Sequence, residues 1–84
     1  MELTTLFDQA VANSKTLREK PDNDILLKLY AFYKQSTEGD LNAEAPVNPF
    51  DFVAKAKYNA WDQLKGKSRE NAMQEYIDLV TALK

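Results

Sequence analysis

Apolar residues recur every three or four positions near the end of this 84-residue chain, and this spacing is the feature that most restricts its fold. The segment after Ser68 follows the period of an α-helix, with apolar side chains at Ala72, Met73, Tyr76, Ile77, Val80 and Leu83. Such a stripe has to be covered by another element. Because the chain has no cysteine, the packing of apolar faces, and not a disulfide, must stabilise it.

Two similar helices are predicted in the first half of the chain. The first extends from Leu3 to Ser14, with the threonine at position 4 or 5 as its N-cap. The second is capped by residue 22 or 23 and ends near Ser36, where residues 37–40 have the composition of a turn. Gly39 is expected to take a positive φ there.

A loop of about ten residues, 41–48 and its flanks, separates these helices from a third, and it is longer than most helix connections. Asn48 as N-cap and Pro49 at the first helical position predict where the third helix begins. It extends to about Leu64 and carries Phe50, Ala54, Lys57, Tyr58, Trp61 and Leu64 at helical spacing. With Ser68 capping the fourth helix, residues 1–84 are predicted to form one all-α bundle.

The second helix has more aromatic surface than its packing requires. Tyr30, Tyr33 and Lys34 have the spacing of surface neighbours, and the apolar arc around them exceeds the stripe that a core needs. A spare aromatic face with a lysine at its edge can stack a planar group and hold its negative charge. Ordinary core packing, with the tyrosine hydroxyls at the surface, is the alternative.

Three other residues have a structural interpretation from position alone. Lys15 is a solvated cation after the first helix, and Tyr76 is a core residue with its hydroxyl at the rim. Lys57 lies one turn before Trp61, so its aliphatic stem can cover that ring.

The composition argues against catalysis. The chain has no histidine or cysteine and two glycines, so the common general base, thiol chemistry and a glycine-rich phosphate loop are absent from the sequence. We expect no enzyme activity, no metal site and no cofactor. The net charge of −2 disfavours nucleic acid, and no apolar run reaches the length of a membrane span. We expect a soluble, cytoplasmic monomer.

Two segments resemble the acyl-CoA-binding protein family. These are YAFYKQSTEGDLN at 30–42 and AKAKYNAWDQLKGKSRENAMQEYI at 54–77, with Pro46 between them. The resemblance implies a four-helix up-down-down-up bundle with a long loop between helices two and three. It further implies an intracellular carrier that binds long-chain acyl-CoA non-covalently in a surface bowl.

The family's binding residues carry over by position. The resemblance implies that Tyr33 stacks on adenine, and that Tyr30, Lys34 and Lys57 surround the ribose 3′-phosphate. Lys15 and Tyr76 would add polar contacts to the CoA head, while the first helix around Val11 and Ala12 would border the acyl chain.

Three departures from the family pattern stand out. Tyr58 replaces a common tryptophan, Val53 replaces a common lysine, and residues 47–50 make the loop one residue longer. Chain-length preference is therefore left open. A helical protein-interaction module using the same aromatic face is the alternative function, and it would bind peptides and ignore acyl-CoA.

Overall fold

The computed structural model describes residues 2–83, which form four α-helices. They are α1 (Leu3–Ser14), α2 (Asn23–Glu38), α3 (Phe52–Asp62) and α4 (Arg69–Leu83). The predicted all-α class is confirmed, and the predicted bounds of α1 agree with the structure.

Helix α2 is the central element of the bundle. It packs against both α3 and α4, and α1 packs against α4. Among residues 2–83, α3 packs against no helix other than α2. The start of α2 lies beside the start of α3, and Leu83 lies beside the end of α1, which gives the up-down-down-up order. Because α2 and α3 are parallel, residues 39–51 must return along the length of the bundle.

The predicted stripe of α4 forms the core. Two of its three buried members, Tyr76 and Val80, pack in one cluster with Phe7 and Ala10 of α1 and Leu29 of α2. The rings of Phe7 and Tyr76 meet edge to face, with centroids 5.2 Å apart. Aromatic pairs in this geometry add about 0.5–1.5 kcal/mol beyond the burial of their area.

A buried polar network joins the end of α2 to the turn between α3 and α4. Gln35 is fully buried, and its Nε2 donates to Asp40 Oδ1 and to the Lys67 carbonyl, both at 2.8 Å. The backbone N–H of Gly66 donates to the same Asp40 oxygen at 2.8 Å. Both glycines near this network have positive φ, Gly39 at 81° as predicted and Gly66 at 90°.

The predicted N-caps of two helices are wrong, and one of these helices also begins later than predicted. Helix α1 begins at Leu3, so the threonines at positions 4 and 5 lie inside it. Helix α3 begins at Phe52 instead of Pro49, because Asn48 caps a tight turn and not the helix: its Oδ1 accepts from the Phe50 N–H at 2.9 Å. Asp51 is the true N-cap, with its carboxylate accepting from the Ala54 N–H at 3.0 Å.

Two helix ends also differ from prediction. Helix α2 continues past Ser36 to Glu38, and within it the hydroxyls of Ser36 and Thr37 donate to carbonyls one turn earlier. Helix α3 ends at Asp62, and Leu64 lies in the turn that follows.

Replacing Asp40 with asparagine should reduce the free energy of unfolding at neutral pH. The Gly66 N–H, and then the Gln35 amide, hold the pKa of the Asp40 carboxyl below its ordinary value of 3.8. The stabilisation is therefore complete above the unfolded-state pKa and is lost as pH falls through the folded-state pKa. Urea unfolding should show a constant difference between wild type and Asp40→Asn at neutral and mildly acidic pH, and a shrinking one in stronger acid.

The exposed Asp62 supplies the matched control, Asp62→Asn, because its carboxylate accepts no hydrogen bond from residues 3–83. An Asp40→Asn deficit that persists undiminished in strong acid would contradict this account.

Candidate functional site

A pocket of about 380 Å³ opens on the face where α1, α2 and α4 meet. It is lined by residues of these helices and the first connector: Val11, Ser14, Lys15, Pro21, Leu26, Leu29, Tyr30, Tyr33 and Tyr76. Four of the residues predicted for the site, Lys15, Tyr30, Tyr33 and Tyr76, therefore lie around one concave surface.

Tyr33 combines a packed side with an open side. Its ring stacks on Phe7 at a centroid distance of 6.0 Å and lies 6.5 Å from the ring of Tyr76. The side chain nevertheless remains 41% exposed, the highest exposure among the large aromatic residues of α2 and α4. An aromatic ring held in place and open to solvent is suited to stacking a planar ligand.

Tyr76 is a buried residue whose hydroxyl already has a protein partner. It is 4% exposed, and its hydroxyl donates to Ser14 Oγ at 3.0 Å. Ser14 in turn donates to the Val11 carbonyl at 2.7 Å. The ring belongs to the core, as its position in the stripe indicates, and its hydroxyl closes the floor of the pocket.

Each of two lysines lies over an aromatic ring of the neighbouring helix. The Nζ of Lys57 is 5.3 Å from the centroid of Tyr30, and the Nζ of Lys34 is 5.1 Å from that of Trp61. Both distances suit a cation–π interaction. The ammonium of Lys57 thus lies over Tyr30, while the ring of Trp61, which position alone suggested for the Lys57 stem, has the Lys34 ammonium over it. Since α2 and α3 are parallel, Lys57 lies level with Tyr30, and Lys34 lies level with Trp61 one turn further on.

Lys34 is also bonded to Glu38 one turn along α2. This hydrogen bond, with the smaller contributions of Tyr30 and Tyr33, raises the pKa of Lys34 above its ordinary value of 10.5 and outweighs the opposite effect of burial. The ammonium is therefore charged at neutral pH and already has a carboxylate partner.

A second cavity of about 380 Å³ lies between the first halves of α2 and α3. We call it the apolar groove, and its lining is Asn23, Leu26, Leu27, Phe52, Val53, Ala56 and Lys57. Leu26 lines both cavities, while Lys57 lines the groove and reaches over Tyr30 beside the pocket. The pocket and the groove thus adjoin along one face of the bundle.

A family model described as "Acyl CoA binding protein" matches residues 4–80 of the chain. The chain belongs to the acyl-CoA-binding protein family. It is 47% identical to acyl-CoA-binding protein homolog 1 of Caenorhabditis elegans over 81 residues, 96% of this chain and 93% of the relative. It is also 47% identical to the acyl-CoA-binding protein of Dictyostelium discoideum over 79 residues, 94% and 93% respectively.

The fold agrees with a solved member of the family. The crystal structure of acyl-CoA-binding protein 2 of Oryza sativa superposes with a TM-score of 0.90 at 35% identity, covering 98% of this chain and 90% of that one. Family membership and the four-helix fold, both expected from the two quoted segments, are confirmed.

The groove is the part of this family member's surface that sequence reasoning missed. Among its residues, Leu26 belonged to the wide apolar arc of α2, and Val53 was noted as a departure from the family pattern. Neither was assigned to a ligand, because a groove depends on the distance between two helices. Within residues 2–83, no cluster of three or more acidic residues is placed to bind a metal ion, and none of the helices combines the length and the hydropathy of a membrane span.

Replacing Tyr76 with phenylalanine should reduce the free energy of unfolding by about 0.5–1.5 kcal/mol, the usual net contribution of one hydrogen bond. The ring and its contact with Phe7 remain, while the bond to Ser14 is lost. Chemical denaturation measures the difference. Tyr58→Phe, on a partly buried tyrosine of α3, is the matched control. Equal effects of the two substitutions would contradict a specific role for the bond.

Proposed function

We propose that this protein binds long-chain fatty acyl-CoA esters non-covalently and serves as a carrier for them, without catalysing a reaction. The observation that carries the proposal is the adjoining of two unlike cavities, one aromatic and polar, the other apolar. Acyl-CoA has the same division between an anionic nucleotide head and a hydrocarbon tail. The names of the relatives from C. elegans and D. discoideum support the same ligand.

The head group is assigned to the pocket and its lysines. In this proposal the exposed side of Tyr33 stacks on adenine, Tyr30, Lys34 and Lys57 receive the 3′-phosphate, and Lys15 and Tyr76 contact other parts of CoA. A protein of net charge −2 needs local cations to hold an anion of this kind. Both Lys34 and Lys57 are held over rings before any ligand arrives, so little side-chain freedom is left to lose.

The acyl chain is assigned to the apolar groove. Leu26, Leu27 and Ala56 form its walls, and Phe52 and Val53 leave large apolar surfaces open to solvent, 73% and 65% exposed. Covering this surface with hydrocarbon contributes on the order of 0.8 kcal/mol per buried methylene. The proposal therefore moves the route of the chain from the neighbourhood of Val11 and Ala12 to the space between α2 and α3.

The rest of the proposal concerns context. We infer that residues 1–84 are one acyl-CoA-binding domain that acts as a cytoplasmic monomer and does not bind nucleic acid. The net charge of −2 supports the last point, since phosphate backbones attract basic surfaces. Sedimentation of the pure protein with and without ligand tests the monomer. A peptide-binding role for the same face has no observation in its favour.

Calorimetric titration with palmitoyl-CoA, CoA and palmitate tests the function. We expect palmitoyl-CoA to bind one per chain, CoA much more weakly and palmitate hardly at all, because head and tail contacts must combine to overcome the cost of association. Equal affinity for palmitate and palmitoyl-CoA would refute the proposal.

Lys57→Ala should weaken acyl-CoA binding at least tenfold, if Lys57 bonds to the 3′-phosphate. A hydrogen bond to a charged group contributes roughly 1.5–3 kcal/mol, and about 1.4 kcal/mol corresponds to one decade. The check is a double-mutant cycle that combines Lys57→Ala with 3′-dephospho-acyl-CoA, in which a direct contact makes the losses non-additive. Additive losses would mean that Lys57 acts through its contact with Tyr30 and not through the phosphate. Lys55→Ala, two residues earlier on α3, is the matched control.

Glu38→Gln should tighten binding of acyl-CoA several-fold. Lys34 is paired with Glu38 in the free protein, and a phosphate must share or displace that carboxylate. Because removing any acid also reduces general repulsion of the ligand, Glu44→Gln in the exposed loop is the control. Calorimetry should show a larger gain for Glu38→Gln than for Glu44→Gln. Equal gains would mean that Lys34 does not meet the anion.

A further inference from the structure

Four large apolar side chains lie exposed within seven residues, at the end of the long loop and the start of α3. Val47 is 94% exposed, Phe50 81%, Phe52 73% and Val53 65%. We call this segment the apolar tip. Among residues 2–83, Tyr33 is the one other large apolar residue that is strongly exposed, and it is assigned to ligand stacking. Exposed apolar surface concentrated in one place marks an interaction site more often than isolated side chains do.

Hydrogen bonds to the backbone fix the shape of the tip. Asn48 Oδ1 accepts from the Phe50 N–H, and the Asp51 N–H donates to the Asn48 carbonyl at 3.1 Å. The Asp51 carboxylate caps α3 at the Ala54 N–H. The polar side chains of the segment are thus used on its own backbone, while the rings of Phe50 and Phe52 remain in solvent. A rigid presentation of this kind leaves little ordering to be done on binding.

The acyl groove accounts for half of the tip and not for the rest. Phe52 and Val53 line the groove, whereas Val47 and Phe50, the two most exposed members, do not. The apolar surface therefore continues outward from the mouth of the groove. Whatever covers Phe50 lies directly beside the opening through which an acyl chain enters or leaves.

We propose that the apolar tip inserts into the surface of a lipid bilayer, so that an acyl chain passes between bilayer and groove without crossing water. The inference rests on the proposed function, because it takes the ligand to be a long-chain acyl-CoA. The hydrocarbon tail of such an amphiphile partitions into lipid. Two aromatic rings and two valines on a fixed turn have the composition of an interfacial anchor.

The charges around the tip select the type of lipid. Residues 44–57 carry two acids, Glu44 and Asp51, and two cations, Lys55 and Lys57, so the segment is neutral. The whole chain has a net charge of −2 and is not attracted to anionic headgroups. Insertion must therefore depend on apolar contact, with a zwitterionic surface as the partner and little dependence on salt.

Flotation of the ligand-free protein with phosphatidylcholine vesicles tests the proposal, with Phe50→Ser as the variant. Phe50 lies outside the groove lining, so its replacement should leave the affinity for palmitoyl-CoA in vesicle-free solution unchanged. Binding to vesicles should fall about tenfold or more, since one buried phenylalanine ring accounts for at least a decade of affinity. Asn71→Ser, an exposed residue in the first turn of α4 at the other end of the bundle, is the matched control and should bind vesicles like the wild type.

A fluorescent reporter gives a second measurement that does not depend on losing function. In a Phe50→Trp variant the indole emission should shift to the blue on adding phosphatidylcholine vesicles, beyond the background of buried Trp61. An Asn71→Trp variant should show no such shift.

Four results would overturn the inference. Three of them are wild-type protein that does not float with these vesicles, Phe50→Ser that floats as well as the wild type, and a Phe50→Ser variant that is monomeric where the wild type is a dimer. Loss of palmitoyl-CoA affinity in Phe50→Ser would assign the residue to the ligand site. That result would also overturn the tip and leave the proposed function intact, whereas failure of palmitoyl-CoA to bind the wild type would refute the function itself.

Discussion

The buried amide of Gln35 joins the end of α2 to the turn between α3 and α4. It bonds at once to Asp40, just beyond α2, and to the Lys67 carbonyl, just before α4. Asp40 also accepts a hydrogen bond from the Gly66 N–H. The start of the long loop therefore lies beside the turn that connects α3 to α4. Without these partners, the N–H groups of the buried amide would be left unpaired, and each unpaired donor costs about 1–3 kcal/mol of desolvation. This junction helps to set the position of α3 along α2. That position in turn determines which ring each lysine lies over.

The helices could be predicted from the sequence because burial of one face dictates their period. The α4 stripe and the bounds of α1 were correct for this reason. Helix starts were less predictable, since Asn48-Pro49 suits both a cap and a turn, and the bond from Phe50 to Asn48 decides between them. Gln35 was not singled out at all. A polar residue within an apolar arc gives no periodic signal, and its partners are up to 32 residues away.

The candidate site was predictable where it rests on one helix and not where it rests on two. Tyr30, Tyr33 and Lys34 are neighbours by spacing alone, and the family resemblance adds Lys15, Lys57 and Tyr76 by position. The rings that Lys34 and Lys57 meet across helices were not predicted, because the position of α3 along α2 is a property of their packing. The groove was missed for the same reason.

The attachment of α3 has a mechanical consequence. This helix packs on α2 alone among the helices of residues 2–83, and Trp61, near its end, is buried with its indole N–H bonded to the Gly39 carbonyl at 2.9 Å. The opposite end, where Phe52 and Val53 form one wall of the groove, has no such anchor. The wall of the groove is thus attached to the bundle through α2, and Trp61 secures it at the end of α3 that lies away from the groove. The core cluster of Phe7, Ala10, Leu29, Tyr76 and Val80 contains no residue of α3, so the width of the groove can differ without a rearrangement of that core.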